Sequence, residues 1–212
     1  RRRRGRAVKL SALAAAPCNP DPDIAGLTSD SRAVKAGFLF AALPGVAADG
    51  AAFISQAEKN GAAAVLARSG AKTVLPLIID ETPRRRLARM AARFYPRQPR
   101  FIAAVTGTNG KTSTAIFSAA LWTMLGINSG SLGTLGARSA NYERKLSHTT
   151  PEPVTLHETL DAMAGAGVTH LAMETSSHAL AQCRADGVNF STAAFTNITQ
   201  DHLDYHEDFA AY

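Results

Sequence analysis

The hydrophobic and polar positions of the chain alternate between two patterns along most of its length. Short apolar runs, typical of buried strands, are followed by longer segments with apolar residues at helical spacing. The runs predict strands at 37–43, 62–67, 74–80, 101–106, 169–174 and 191–198, and the periodic segments predict helices at 51–60, 82–95, 112–125 and from 153 to 165 or 167. Strands that alternate with helices are typical of α/β proteins with mostly parallel sheets.

The helical segment 82–95 precedes a break in the pattern. Its apolar residues fall on one face and its five arginines fall largely on the others. The arginines could form a basic binding face, but a solvated helix surface is the commoner case. Prolines at 96 and 99 then interrupt the pattern. We therefore expect a basic, disordered arm at 1–8, an N-terminal domain at 9–97 and a second domain at 98–212.

The net charge of +6 comes mostly from the start of the chain. Residues 1–4 and 6 are arginines, and without them 18 basic residues face 17 acidic ones. A basic arm can bind nucleic acid, but the rest of the sequence lacks the basic face with interleaved aromatic residues that such domains carry. We therefore expect a disordered end or a misassigned start, and no nucleic-acid partner.

Other bulk features indicate a cytoplasmic globular protein. No uncharged apolar run reaches the roughly 18 residues that a membrane span needs, and the Ala-rich stretch 10–16 is too short and weakly apolar for a secretory signal. The cysteines, Cys18 and Cys183, show no spacing typical of a disulfide framework or a zinc site. We expect a monomer with two reduced thiols.

A glycine-rich turn lies between the predicted strand 101–106 and the predicted helix 112–125. It reads Gly107-Thr108-Asn109-Gly110-Lys111-Thr112 and is followed by Ser113. In such a turn the backbone N–H groups and the helix N-terminus bind phosphate, the lysine reaches the outer phosphates and the threonine hydroxyl binds Mg²⁺. The full Walker pattern has glycine where Val105 stands, so an ordinary strand–turn–helix corner is the alternative. The context favours a nucleoside triphosphate site.

Three further segments accompany this turn. They read Thr149-Thr150-Pro151-Glu152, then Met173-Glu174-Thr175-Ser176-Ser177-His178, then Asn197-Ile198-Thr199-Gln200-Asp201-His202-Leu203-Asp204-Tyr205-His206. In this order and spacing, together with the turn, they closely resemble the Mur ligases. The segments 27–32 and 37–40 also resemble the uridine-nucleotide domain of that family's tripeptide-forming member. The resemblance covers nearly the whole chain from about residue 10.

The resemblance implies a fold and a reaction. The fold would be a small N-terminal α/β domain that binds a uridine nucleotide, followed by a P-loop-type, mostly parallel α/β ATPase domain that is truncated here. In peptidoglycan precursor synthesis, ATP would phosphorylate the D-Glu side-chain carboxylate of UDP-MurNAc-L-Ala-D-Glu. The amine of a free amino acid, first meso-diaminopimelate and second L-lysine, would then attack the acyl phosphate. Positioning and two Mg²⁺ ions would supply most of the catalysis.

The resemblance also implies roles for individual residues. Lys111, Glu174 and His202 would be catalytic, and Thr112, Glu174 and His202 would hold Mg²⁺. Ligands bind at the carboxyl ends of strands in open α/β sheets, where Glu174 is predicted to lie. Taken alone, His202 would more often be a structural histidine, and Asn109 would simply form the turn.

The implied substrate contacts lie in both predicted domains. Arg184 is chemically suited to this role because a guanidinium binds a carboxylate through two parallel hydrogen bonds. Ser31 has an almost equally good interpretation as a surface residue without a ligand. The other implied contacts are Val46, Ala47, Ala48, Thr149, Thr150, Ser176 and Gln182.

Two features of the family are expected to be missing from this sequence. Family members carry a carbamylated lysine soon after the Asp-His segment, whereas the last lysine here is Lys145, and the C-terminal domain that binds the incoming amino acid is absent. We therefore expect a fragment that cannot complete ligation by itself. The alternative from another class is a P-loop NTPase whose basic arm binds nucleic acid, and strongly salt-dependent binding would favour it.

Overall fold

The computed structural model describes residues 6–45, 49–203 and 205–212. The chain folds as two compact units, Arg1–Phe94 and Tyr95–Tyr212. None of the helices in the described ranges is long and apolar enough to cross a membrane. The predicted α/β class with mostly parallel strands is confirmed.

The first unit is built on a parallel sheet. Its elements are β1 (Val8–Lys9), α1 (Leu10–Ala14), β2 (Asp23–Ile24), β3 (Gly26–Thr28), β4 (Phe38–Ala41), α2 (Ile54–Lys59), β5 (Ala64–Ala67), β6 (Leu77–Ile79) and α3 (Pro83–Phe94). Strands β3, β4, β5 and β6 pair in that order and all run parallel, while β1 pairs antiparallel with β2. Consecutive residues Val65 and Leu66 point to opposite faces of the sheet and both are fully buried. Both faces are therefore covered, as parallel sheets require.

Arginines of α3 hold this unit together. Three of the five arginines in α3 donate through a guanidinium nitrogen to a main-chain carbonyl: Arg84 to Pro44, Arg86 to Ala14 and Arg93 to Leu13, all at 2.7 Å. Leu13 and Ala14 lie at the end of α1, where helix carbonyls lack intrahelical partners. Arg86 and Arg93 therefore cap the end of a neighbouring helix. Arg85, Arg89 and Arg93 are exposed, as expected for a solvated helix surface.

The second unit carries a larger mixed sheet. Its elements are β7 (Phe101–Thr106), α4 (Lys111–Met124), β8 (Ser129–Gly133), β9 (Gly136–Ser139), β10 (Tyr142–Arg144), α5 (Pro153–Gly165), β11 (His170–Glu174), α6 (Ser177–Ala181) and β12 (Thr192–Phe195). Within the described part of the chain, these strands form one sheet in the order β10-β9-β8-β11-β7-β12. Strands β8, β11, β7 and β12 are parallel, and β9 and β10 extend the sheet antiparallel.

The helices α4 and α5 cover opposite faces of this sheet. Leu171 of β11 packs in one cluster with Leu156 and Leu160 of α5. The next residue, Ala172, packs instead with Ala115 of α4. This alternation follows from the two-residue period of a strand. The loops that follow the carboxyl ends of the parallel strands come together at one edge of the sheet, where α4 also begins.

Candidate functional site

The loops at this edge surround a pocket of about 810 Å³. Each parallel strand contributes to its wall at or just after its carboxyl end: Thr106 from β7, Thr134 after β8, Glu174 from β11 and Phe195 from β12. The volume is in the range of small-molecule sites. The fold therefore places a ligand-sized pocket where open α/β sheets bind their ligands.

The turn 107–112 forms one side of the pocket. Gly107 and Gly110 have φ angles of +128° and +84°, which residues other than glycine rarely adopt. Lys111 begins α4 and its Nζ donates to the carbonyls of Gly107 at 2.6 Å and Thr108 at 2.9 Å. The lysine is thus held over the turn, at the positive end of α4.

The segment after β12 braces this turn. The carboxamide of Asn197 accepts from the N–H of Asn109 at 3.0 Å and donates to the Asn109 carbonyl, also at 3.0 Å. Thr196 donates to the same carbonyl at 2.7 Å. A Cβ on Gly107 would overlap Thr196, so this close approach requires glycine. The shape of the turn therefore depends on a segment almost 90 residues further along the chain.

Thr108 is fixed from two sides. Its hydroxyl accepts from the N–H of Thr199 at 2.9 Å and lies 2.9 Å from the hydroxyl of Tyr212. The Thr108 residue is 9% exposed, and burying a hydroxyl is favourable only when such partners are present. Tyr212 also lines the pocket.

Glu174 lines the same pocket, next to the end of the turn, and is almost fully buried, at 2% exposure. Its Oε2 accepts from the Thr112 hydroxyl at 2.9 Å and from the Thr134 hydroxyl at 3.2 Å, and its Oε1 accepts from the Thr134 N–H at 2.9 Å. A buried carboxylate is costly without such donors. The hydrogen bond to Thr112 joins the end of β11 to the first turn of α4.

The loop that contains Thr149 and Thr150 lies against the same strand end. Thr150 is buried; its hydroxyl donates to the Glu174 carbonyl at 2.9 Å and accepts from the Ser176 N–H at 3.1 Å. The hydroxyls of Thr149 and Thr134 lie 3.0 Å apart. Thr149, Thr150 and Ser176 all line the pocket.

Arg184 reaches this loop with its guanidinium already engaged. It donates to the Thr150 carbonyl at 3.0 Å and to the Gln182 carboxamide at 2.7 Å, and it pairs with Glu152 at 3.1 Å. Gln182 in turn donates to the hydroxyl of Tyr205. The arginine therefore positions the 150–152 loop as well as presenting positive charge to the pocket.

His202 belongs to a cluster of rings on the remaining wall. Its ring centroid lies 4.7 Å from that of His178, which lies 4.1 Å from the ring of Tyr205. The His202 backbone has a φ of +54°, which is uncommon for residues other than glycine, and its N–H donates to the Asp201 carboxylate. The pocket wall thus includes both Glu174 and His202.

The oxygen atoms near α4 suit a magnesium ion. Mg²⁺ prefers oxygen ligands and usually keeps several waters beside one or two protein groups and substrate phosphates. The Thr112 hydroxyl and a Glu174 carboxylate oxygen lie 2.9 Å apart, so both can contact one ion. No group of three or more His, Cys, Asp or Glu side chains positioned to hold a metal occurs among residues 6–45, 49–203 and 205–212. The residues present fit an ion that is completed by a nucleotide.

Some residues that the sequence singled out lie elsewhere. Ser113 is exposed in the first turn of α4 and, like Gln182, is not in the described pocket wall. Ser31 is buried in the first unit, in a short 3-10 helix where its carbonyl accepts from Asn60. Val46, Ala47 and Ala48 lie outside the described residues.

Sequence reasoning gave no role to three residues that the structure places at the site. Thr134 holds the carboxylate of Glu174, Asn197 braces the turn, and Tyr212 contacts Thr108. Thr134 stands in the sequence Gly133-Thr134-Leu135-Gly136, where two glycines mark a tight turn at a strand end. That spacing is the signal that could have identified it.

Comparison with known proteins gives a consistent result. The model of the Mur ligase middle domain matches residues 105–212, and a model described as the Mur ligase family catalytic domain matches residues 23–95. UDP-N-acetylmuramoyl-L-alanyl-D-glutamate--2,6-diaminopimelate ligase from Brucella melitensis is 49% identical over 90% of this chain and 40% of its own length. The protein of that name from Caulobacter vibrioides is 47% identical over 96% of this chain and 44% of its own length.

Solved structures agree with the sequence relatives. A UDP-N-acetylmuramoyl-L-alanyl-D-glutamate--2,6-diaminopimelate ligase structure superposes with a TM-score of 0.86 at 28% identity, over 98% of this chain and 43% of the other. MurF from Acinetobacter baumannii shares the fold with a TM-score of 0.65 at 17% identity, over 97% of this chain and 44% of the other. The chain thus spans about two-fifths of the length of the curated relatives it matches. Since one family model alone covers half of the chain, this protein belongs to the Mur ligase family.

Proposed function

We propose that this chain contributes the nucleotide-binding and precursor-binding part of an ATP-dependent ligase that adds an amino acid to UDP-MurNAc-L-Ala-D-Glu. The observation that carries the proposal is the pocket of the second unit, in which Thr112 of the turn donates to the buried carboxylate of Glu174 and Lys111 lines the same pocket. The relatives named as 2,6-diaminopimelate ligases support the choice of reaction.

In the proposed reaction the turn binds the polyphosphate of ATP. The N–H groups at 107–112 and the N-terminus of α4 would bind phosphate oxygens. Lys111 would exchange its bonds to the Gly107 and Thr108 carbonyls for the outer phosphates, since an ammonium group has three donors and binds phosphate strongly. Asn197 would keep the turn in the required shape through its paired hydrogen bonds to Asn109.

Thr112 and Glu174 would hold a magnesium ion through their oxygen atoms, and His202 would approach a second ion from the other wall of the pocket. Bound Mg²⁺ neutralises charge on the phosphate and on the attacking carboxylate. The role of the chain's own groups is to fix their oxygens before the substrates bind, which lowers the cost of reorganisation during phosphoryl transfer.

The loop 149–152 and Arg184 would receive the peptide part of the precursor. Arg184 is held by Gln182 and Glu152, so its charge is fixed in position instead of being free to move with solvent. Ser176 and Thr149 line the same pocket, and their hydroxyls would offer hydrogen bonds to a carboxylate. This arrangement would orient the D-Glu side-chain carboxylate towards the terminal phosphate, and the amine of the amino acid would then displace phosphate from the acyl phosphate.

We propose meso-diaminopimelate as the added amino acid because relatives with 47–49% identity carry that name. L-Lysine is the competing substrate. The proposed setting is the cytoplasm, where ATP is available.

Ligand-dependent stabilisation of the purified chain tests the proposal. A ligand that binds only the folded state at 100 times its Kd raises the free energy of unfolding by about 2.7 kcal/mol. ATP with Mg²⁺ and UDP-MurNAc-L-Ala-D-Glu should each raise the melting temperature, while duplex DNA at the same concentration should not. A melting temperature unchanged by both proposed ligands, or raised only by DNA in a salt-dependent manner, would contradict the proposal.

A further inference from the structure

The carboxylate of Glu174 is already largely committed to hydrogen bonds. An ionised carboxylate offers about four lone-pair positions. Three of them are directed to donors: the hydroxyls of Thr112 and Thr134 on Oε2, and the N–H of Thr134 on Oε1. One position on Oε1 remains, and a second becomes available if the Thr112 hydroxyl turns its own oxygen towards a cation.

Thr134 supplies two of these three donors. Its N–H binds one carboxylate oxygen and its hydroxyl binds the other, at 2.9 and 3.2 Å. Two bonds from one residue to both oxygens fix the rotation of the carboxylate plane, which a single bond cannot do. Thr134 is itself fixed by the turn between β8 and β9, so the orientation is transmitted from the sheet.

The neighbouring residue, Gly133, makes this contact sterically feasible. A Cβ at position 133 would overlap the carboxylate of Glu174. The end of β8 therefore passes directly against the Glu174 side chain, with no space for a methyl group between them. This close approach brings the Thr134 N–H within reach of a buried carboxylate.

The Thr134 hydroxyl also has a second partner. It lies 3.0 Å from the Thr149 hydroxyl, which lines the pocket on the side of the 149–152 loop. A hydroxyl that donates its only proton to Glu174 can accept from Thr149. The hydroxyls of Thr149, Thr134 and Thr112 thus form a chain through Glu174, between the proposed precursor loop and the proposed nucleotide turn.

We propose that Thr134 is a positioning residue that orients the Glu174 carboxylate for a divalent cation bound with a nucleotide, and that its hydroxyl links this carboxylate to Thr149. The proposal rests on the proposed function, because it assumes that the cation accompanies ATP at the turn. It assigns to Thr134 no contact with the nucleotide itself.

The test measures how Mg²⁺ strengthens binding of a non-hydrolysable ATP analogue to the full chain by calorimetry. In T134V the side chain keeps its shape but loses the hydroxyl. We expect the Mg²⁺ concentration for half-maximal strengthening to rise about tenfold, the change typical of losing one hydrogen bond to a charged group. Binding of the analogue without Mg²⁺ should stay unchanged, because Lys111 and the turn are intact. T134S should restore the wild-type Mg²⁺ dependence.

T123V is the matched control in the same unit. In the described part of the chain Thr123 donates to the Ala119 carbonyl at 3.0 Å and its hydroxyl lies 2.7 Å from that of Ser129, so its hydrogen bonds lie away from Glu174. T123V should show the wild-type Mg²⁺ dependence.

Three results would overturn the inference. If T134V behaves as the wild type, the hydroxyl does not position Glu174, although the proposed function stands. If T123V shifts the Mg²⁺ dependence as much as T134V, the effect is a general loss of packing. If the wild type binds the analogue with no Mg²⁺ dependence, the proposed function fails as well, and the two failures are thereby distinguished.

Discussion

Helices α3 and α4 both direct cations at main-chain carbonyls, but with different consequences. On α3, Arg86 and Arg93 reach carbonyls 72 and 80 residues earlier in the sequence. On α4, Lys111 reaches carbonyls only four and three residues earlier. The first kind of contact joins distant parts of one unit, whereas the second holds a single turn beside a pocket.

This difference separates structural charge from charge available to a ligand. A guanidinium that caps the end of another helix replaces the water those carbonyls would otherwise bind, so its removal lowers the stability of the fold. A lysine held within its own turn can exchange its partners without disturbing the tertiary structure. The number of arginines on α3 is therefore no evidence for a ligand site. Lys111 is such evidence, because it lines a pocket together with Glu174.

The largest effect is expected for Lys111→Met. Removing the ammonium group should weaken binding of ATP with Mg²⁺ roughly 10- to 100-fold, because a hydrogen bond between charged groups is lost at the phosphates. The melting temperature should change little, since the bonds of Lys111 are local. Calorimetric titration and thermal unfolding of the same preparation measure the two quantities.

The reverse outcome is expected for Arg86→Gln. The free energy of unfolding of the first unit should fall by about 1–2 kcal/mol, because the Ala14 carbonyl loses a charged donor. ATP affinity of the folded chain should stay within twofold of the wild type. Urea denaturation measures the first quantity, and exposed Arg68→Gln is the control that should leave it unchanged. If K111M unfolds the chain, or R86Q abolishes ATP binding to folded protein, the distinction between the helices is wrong.

A smaller effect, on the pH dependence of stability, is expected from His157. This residue lies buried in α5, and its Nε2 lies 3.0 Å from the Asp186 carbonyl, to which it donates when that nitrogen carries the proton. Burial lowers the pKa of His157, and its hydrogen bond to the Asp186 carbonyl only partly opposes this. The unfolded chain takes up this proton near pH 6.5 and the folded chain does so only at lower pH. Stability should therefore be unaffected above that pH and fall below it, by up to about 1.4 kcal/mol per pH unit.

Denaturation curves between pH 5 and 8 for the wild type and His157→Gln test this expectation. The difference in unfolding free energy between the two proteins should shrink or reverse as the pH falls, because only the wild type has an imidazole whose protonation the folded state disfavours. Parallel pH profiles for the two proteins would show that His157 is not the group responsible.

The sequence predicted the elements around the turn closely. Strand β7 covers Phe101–Thr106 as predicted, and α4 covers Lys111–Met124 where 112–125 was expected. The reason is that the strand is a continuous apolar run and the helix begins at a glycine turn, so local sequence decides both. The α/β class and the family followed from the same strong local patterns.

The sequence did not predict strands β8, β9 and β10. Strand β8 reads Ser129-Gly-Ser-Leu-Gly, which has neither alternation nor an apolar run. It is a strand because it pairs with β11 and packs under α4, and these tertiary contacts override weak local propensity. The sequence could not predict the contact between Thr134 and Glu174 either, since it joins the turn after β8 to the end of β11, 40 residues further along the chain.

A crystal structure of the chain with a non-hydrolysable ATP analogue and Mn²⁺, the latter located by its anomalous scattering, would show directly where nucleotide and metal bind. We expect the analogue's phosphates to lie against the N–H groups of 107–112 and the metal to contact the oxygens of Thr112 and Glu174. A nucleotide bound away from this turn, or a metal that does not touch Glu174, would contradict this expectation.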